Sequence, residues 1–446
     1  VLVNPKPNLC TTGYESAQLP KVHADIDSAI KAIREHARFF DFAAPAQAVD
    51  PIVQNARVIG LGEGSHGTAE FFRLQTEVAK YLIREKEVRL VLVELPPGLA
   101  EAMNLVLALQ LPDGAVATLV EDTIRRLPYE TWNSQEFEGL LLFIRDWNRQ
   151  YPQDAVVFRG IDITSYNACG ALEQMAHIAD AARNKARQLS ERLGALVEQF
   201  NQPSGIQAKD SRSDLAERFR GLWQEASTCN ESFKGDRPAY LLLRSLAQTS
   251  YYQWCMAKDG QASQSVRDEL MASNVIEEVE RLSNGKRAVV LAHNGHVSFD
   301  ESSTGCFSEG MGREIRMRFG CDGYRVLIAT GGGGSVTSRE LTMRRIIENG
   351  EVINAIGLSS ERKIYLSDAP AEGSFEQVLS QAVDKPVCLS VEAMINDQRL
   401  APLVTEPIAF RKMGCSLLLN EFRPVRLAGS CDGIVYFPKT TGSKIY

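Results

Sequence analysis

Two short stretches of this sequence hold the side chains best suited to chemistry. In "RVIGLGEGSHGTAEFF", Arg57 to Phe72, Glu63 and His66 stand three residues apart among glycines at 60, 62, 64 and 67. In "LAHNGHVS", His293 and His296 have the same spacing. The chain has six histidines, and three of them fall in these two stretches. A carboxylate beside an imidazole fixes the ring's rotamer and tautomer and strengthens it as a base. A histidine pair suits the complementary task, donating hydrogen bonds to a carbonyl oxygen or a leaving group. Glu94 closes "VLVE" and Asp162 closes "FRGID"; a carboxylate at a strand end beside histidines polarises water. The glycines permit a tight turn and close approach of a substrate to the backbone. Amides at the start of a helix near Thr68 add partial positive charge for an oxyanion.

Each residue also has an ordinary reading. A histidine after a strand is commonly structural, a glutamate there caps a turn, and Asp162 caps a loop. The convergence of four segments argues for a site. On ligand type alone the same side chains also fit Zn²⁺, and their chemistry does not separate a zinc site from a metal-free one. Two other features carry less. Ser65 lies in G-E-G-S-H-G, which lacks the G-x-S-x-G of a nucleophile elbow. "TGGGGS", Thr330 to Ser335, lacks the Lys-Ser/Thr of a phosphate-binding loop.

The elements that must position these groups are readable from apolar patterning. "ARVIGLGE", "VRLVLVE", "AVVFRGID" and "RAVVLAH" are aliphatic without alternation, as in parallel strands covered on both faces. Between the first two, "TAEFFRLQTEVAKYLIREK" carries one apolar helical stripe, so the three segments form a βαβ unit. The carboxyl ends of such strands line the ligand crevice, and that is where Glu63, Glu94, Asp162 and His293 fall. An N-terminal helix is expected in "DIDSAIKAIREHARFF". Long helices are expected from about Ala168 to Asn284, around a polar hinge "NQPSGIQAKDSRSD". Strands return in "YRVLIAT", "KIYLSD", "PVCLSVEA", "PIAFRKM" and "DGIVYFPKT", with a linker in "FDESSTGCFSEGMG". The expected fold is α/β: a mainly parallel sheet core flanked by helices, with an inserted helical subdomain. Its divisions are a tail and helix at 1–50, core at 51–167, the insertion at 168–285 and core again at 286–446.

Composition narrows the class. With 446 residues and 44% hydrophobic side chains, the chain can bury a large core. Lys and Arg total 49 against 56 Asp and Glu, a formal charge of -7, with no basic block for a nucleic acid to follow. No apolar run reaches the ~18 residues of a membrane helix, and the stretch after Val1 has no continuous apolar segment of the signal-peptide kind. The nine cysteines, at 10, 169, 229, 255, 306, 321, 388, 415 and 431, form no C-x-x-C pair. They read as reduced packing thiols, pointing to the cytoplasm. The oligomeric state is not encoded in any of these patterns.

In order along the chain, "GEGSHGTAEFFRLQ", "VLVELP", "FRGID", "VRDELMASNV", "VVLAHNGHVS", "GMGREIRMRFGCDGY" and "DGIVYFPKTT" resemble the blocks of the erythromycin esterase family. The resemblance runs from about Arg57 to Thr441. It implies an α/β core with helical additions, in the broader group that includes ChaN-like proteins. It also implies hydrolysis of a macrolide-like lactone or another natural-product ester, without metal or other cofactor, by water that a histidine activates. Residue by residue, it implies His66 as the base, oriented by Glu63, Glu94 as a second essential carboxylate, and His293 with His296 completing the site. Arg73, Gln75, Asp162 and Asn294 fall in supporting or substrate-binding positions. Many members of the family carry Lys or Arg where this chain has Gln75, with Arg73 two residues away as a partial replacement. The departure bears on the substrate and keeps open a biosynthetic enzyme, which would use the same His/Glu site for cyclisation, acyl transfer or elimination.

Overall fold

The computed structural model describes residues 24–125, 132–163, 180–201, 209–258, 263–283, 285–299, 310–348, 351–367, 369–412 and 422–444. The N-terminal tail to residue 23, half of the expected hinge (202–208), most of the expected linker (300–309) and Cys10, Cys169, Cys306 and Cys415 lie outside the described residues. The remaining five cysteines are free thiols. Burial pushes Cys388 up to about 12, so it stays protonated. Among the described residues, no helix is long and apolar enough to cross a membrane.

The strands are β1 (Arg38–Phe39), β2 (Val58–Glu63), β3 (Val88–Val93), β4 (Val157–Gly160), β5 (Arg287–His293) and β6 (Tyr324–Gly331). After them come β7 (Gly334–Glu348), β8 (Glu351–Ser367), β9 (Val387–Ser390), β10 (Ile408–Arg411), β11 (Phe422–Val425) and β12 (Gly433–Phe437). The chain divides into two compact bodies. One comprises Thr11–Val91, Glu130–Val156 and Arg281–Tyr446; the other includes Leu92–Tyr129 and Val157–Glu280.

In the first body the strand order is β1-β9-β12-β6-β2-β5-β3. β12, β6, β2 and β5 run parallel, while β9 is antiparallel to β12 and β1 to β9. The sheet is therefore mixed and mostly parallel. Every residue of β2 and of β5 is buried, as expected for aliphatic runs covered on both faces. The helix Ala69–Glu85 covers the sheet with Phe71, Phe72, Leu74, Val78 and Leu82. The N-terminal helix spans Ile26–His36 and is capped by Asp25, whose side chain accepts from the Ser28 amide.

The strand expected in "KIYLSD" is present through Ser367 as the end of the long β8, which pairs antiparallel with β7 from Gly334↔Ser367 onward. One C-terminal segment differs from expectation. "PVCLSVEA" is strand only to Ser390, whose hydroxyl then accepts the Ala393 amide at 3.3 Å and starts the short helix Val391–Ile395. "TGGGGS" leads from β6 into β7, with no helix after it.

The second body is helical, with Pro97–Leu107, Asp113–Arg125, Asp180–Asn201, Lys209–Ser232, Arg237–Lys258 and Ser263–Glu280, together with β4. It has its own apolar core, including Leu189, Leu193, Phe219, Leu222, Leu243 and Leu246.

Candidate active site

β2 and β5 are in direct register, and Glu63 is the cross-strand partner of His293. Two adjacent parallel strands thus end together, one in a carboxylate and one in an imidazole. The Glu63 side chain is fully buried, and its Oε1 faces Nδ1 of His66, whose side chain is 15% exposed. A carboxylate accepts, so Nδ1 carries the proton and the lone pair of the neutral ring lies on Nε2.

His293 is held the opposite way. It caps the short helix Asn294–Val297, and its Nδ1 accepts the Gly295 amide at 3.1 Å. Its neutral form therefore carries the proton on Nε2. The rings of His66 and His293 are 5.2 Å apart between centroids, and His296 follows at 6.3 Å from His293. One imidazole presents an acceptor at Nε2 and its neighbour a donor.

Buried amides and backbone hold this geometry. Asn294 donates from Nδ2 to the Ala329 carbonyl at 2.7 Å and accepts the Ala329 amide at 3.2 Å, locking the end of β5 onto β6. Asn294 is thus a structural clamp. Tyr324 donates to the Val297 carbonyl at 2.7 Å, and burial raises its pKa and keeps it protonated. Gly62 lets Asn294 in, because a Cβ there would stand 2.3 Å from Asn294 Oδ1. At Gly67 a Cβ would stand 1.7 Å from the Thr337 carbonyl oxygen. These two glycines serve packing by the protein itself, whereas the sequence led us to expect approach by a substrate. The first helical amide is engaged too: Ala69 donates to the Thr441 carbonyl at 2.9 Å, which corrects its expected role at an oxyanion. Ser65 is buried, with its hydroxyl 2.6 Å from that of Thr68.

Gln75 is fully buried, and its Nε2 donates to the carbonyls of Leu61 at 2.8 Å and Ala292 at 3.0 Å. Arg73 does not stand in for a cation at that place. Residues two apart on a helix point to different faces, and Arg73 is exposed, with its guanidinium 4.2 Å over the Phe42 ring.

The helical body builds a second polar cluster. Ile161 donates its amide to the Val93 carbonyl at 3.0 Å and Asp162 donates to Leu95 at 3.1 Å, which sets Asp162 beside Glu94. Arg267 joins the two carboxylates. Its Nη2 donates to Glu94 Oε1 at 2.8 Å and to Asp162 Oδ2 at 3.0 Å, and its Nε donates to Asp162 Oδ1 at 2.9 Å. Both acids are buried, so this guanidinium offsets the cost of desolvating them. Asn274, seven residues on along the same helix, donates to the Ile161 carbonyl at 2.9 Å. Sequence reasoning overlooked Arg267, although it lies in the quoted "VRDELMASNV". Among the described residues, no three His, Cys, Asp or Glu side chains are arranged to hold a metal ion.

The sequence profile of the erythromycin esterase family matches residues 83–440. The chain belongs to the erythromycin esterase family. The match takes in Glu94, Asp162, His293 and His296, while the Glu63–His66 turn precedes it. Family membership supports a hydrolase-type reaction on a small molecule. Solved structures agree on the fold. A succinoglycan biosynthesis protein is similar at 15% identity and a TM-score of 0.71, over 95% of this chain and 99% of that one. A Bacillus cereus protein matches at 16% identity and 0.67, with the same coverage of 95% and 99%. A mutant of the erythromycin esterase EreC in its open conformation matches at 17% and 0.60, over 91% of this chain and 95% of that one. At these identities the likeness is one of fold.

Proposed function

We propose that this protein hydrolyses an ester or lactone of a natural product, macrolide- or polyketide-like, using water activated by His66. The observation that carries the reading is the opposed pair of imidazoles, with His66 oriented by Glu63 and His293 by the Gly295 amide. In this mechanism Nε2 of His66 takes a proton from water as the water oxygen attacks the acyl carbon. Glu63 stabilises the imidazolium, and Nε2–H of His293, with His296, donates to the oxyanion. Collapse breaks the acyl C–O bond, and the departing alkoxide takes the proton from His66, so that ester and water become acid and alcohol. A placed general base contributes about 10²–10⁴-fold, and one oxyanion donor about 2.7–4 kcal/mol.

We assign Glu94 as a second carboxylate required for turnover, charge-balanced by Arg267 together with Asp162. Residues 168–285 are read as an insertion in the α/β core, on the strength of their own apolar cluster. We also read the protein as cytoplasmic, a reading supported by cysteines that form no C-x-x-C pair.

The second reading replaces water by an alcohol or another nucleophile of a biosynthetic substrate, giving acyl transfer or cyclisation. It is favoured by the same acceptor and donor, which serve any hydroxyl. Untargeted metabolite comparison between cells with the wild type and with His66→Asn tests both, because the accumulating species identifies the substrate. No species that depends on His66 would contradict both.

A further inference from the structure

Gln75 reaches the reacting groups only through the backbone, and it does so on both strands at once. Its Nε2 donates to the carbonyls of Leu61 and Ala292. The Ala292 carbonyl belongs to the peptide that leads directly into His293. The Leu61 carbonyl belongs to the peptide that leads into Gly62 and then Glu63. A peptide is planar, so fixing each carbonyl fixes the orientation of the next residue's backbone. This matters most on β2, where the intervening residue is glycine and the backbone is otherwise permissive. One amide group therefore adds a side-chain bridge, beyond the β2–β5 ladder, between the two strand ends that carry Glu63 and His293. Asn294 reaches past β2 to the Ala329 backbone of β6, so the end of β5 is tied by side chains to β2 and to the strand beyond it.

We infer that Gln75 is a positioning residue, whose side-chain amide holds Glu63 and His293 in register and thereby maintains the opposite tautomers of His66 and His293. A donor is required at this place, whereas a carboxylate would repel both carbonyls. Neutrality also has a consequence. A cation here would disfavour protonation of the nearby imidazoles, so the amide keeps the clamp without that electrostatic effect.

The inference rests on the proposed roles of His66 and His293, but its test needs no substrate. The probe is the full chain labelled with ¹⁵N at histidine, with imidazole spectra followed against pH and folding checked by thermal melting. In the wild type, His66 shows the Nδ1–H tautomer and His293 the Nε2–H tautomer. Gln75→Met, similar in volume but without a donor, should fold and lose the single-tautomer pattern at His293. Gln75→Lys, which retains donors for both carbonyls, should preserve that pattern and shift the His66 titration to lower pH. Native tautomers in a folded Gln75→Met protein would overturn the inference. Failure of both variants to fold would overturn it too, since Gln75 would then be a general core residue. If the inference holds but His66→Asn leaves turnover intact, the hydrolytic reading fails and the clamp stands.

Discussion

His66 and His293 approach to 5.2 Å between ring centroids, tilted by 55°, with their Nδ1 atoms engaged in opposite senses. His66 Nδ1 donates to Glu63, whereas His293 Nδ1 accepts from the Gly295 amide. The two Nε2 atoms therefore differ in role although the side chains are identical.

His66 is expected to act in chemistry rather than in folding. His66→Asn keeps a donor for the buried Glu63 carboxylate and deletes Nε2. Turnover should fall by about 10²-fold or more, roughly 3 kcal/mol of barrier, with the melting temperature nearly unchanged. Near-normal turnover in this variant would remove His66 from the mechanism.

Activity should survive metal removal. In the proposed mechanism the base is the His66 imidazole itself, acting without a metal. Prolonged treatment with EDTA or phenanthroline and then desalting should leave the rate unchanged. Stoichiometric zinc in the purified protein, with activity lost on its removal and regained on its return, would establish the zinc reading instead.

Arg267 is expected to dominate the stability of the helical body. Replacing it with methionine leaves Glu94 and Asp162 buried without their shared counter-charge. Breaking a buried ion pair by removing one partner costs about 3–5 kcal/mol, which denaturant unfolding would detect. A loss below about 1 kcal/mol would show that the guanidinium is not what offsets the burial of these acids.

Glu376 gives the stability a pH dependence of defined sign. It is fully buried, accepting the Thr330 hydroxyl at 2.6 Å and the Arg411 amide at 3.0 Å, and burial raises its pKa above 4.5. A carboxyl raised on folding contributes stability below its unfolded value and loses it as pH rises through the folded one. Glu376→Gln keeps an acceptor and cannot ionise. Its advantage over the wild type should therefore be smallest in acid and grow with pH, then level off above the folded-state value. Parallel stability curves for the two proteins would refute this account of Glu376.

The strands bearing the site were readable because a covered parallel strand is an uninterrupted aliphatic run; "RAVVLAH" coincides with β5 from Arg287 to His293. Glu63 and His66 were readable because a local pair needs no tertiary information. The clamps were harder to see. Gln75 looked like a departure in charge, but a polar residue on the apolar stripe of the Ala69–Glu85 helix has to find buried partners, and these lie far off in sequence. Arg267 has the same explanation, since its partners Glu94 and Asp162 come from other elements. The β7–β8 hairpin did carry a signal, the Asn-Gly pair between the two strands. Our reading of "VCLSVEA" ran past Ser390 because an apolar run does not distinguish a strand from the short helix that follows it.

The central claim is that water is the nucleophile. Cell extract containing the wild type or His66→Asn, incubated in ¹⁸O-labelled water and compared by mass spectrometry, tests it most directly. The account predicts a carboxylic acid product that carries ¹⁸O from the solvent with the wild type and does not form with His66→Asn. A product that depends on His66 but takes up no ¹⁸O would contradict hydrolysis and establish transfer or cyclisation at the same pair of histidines.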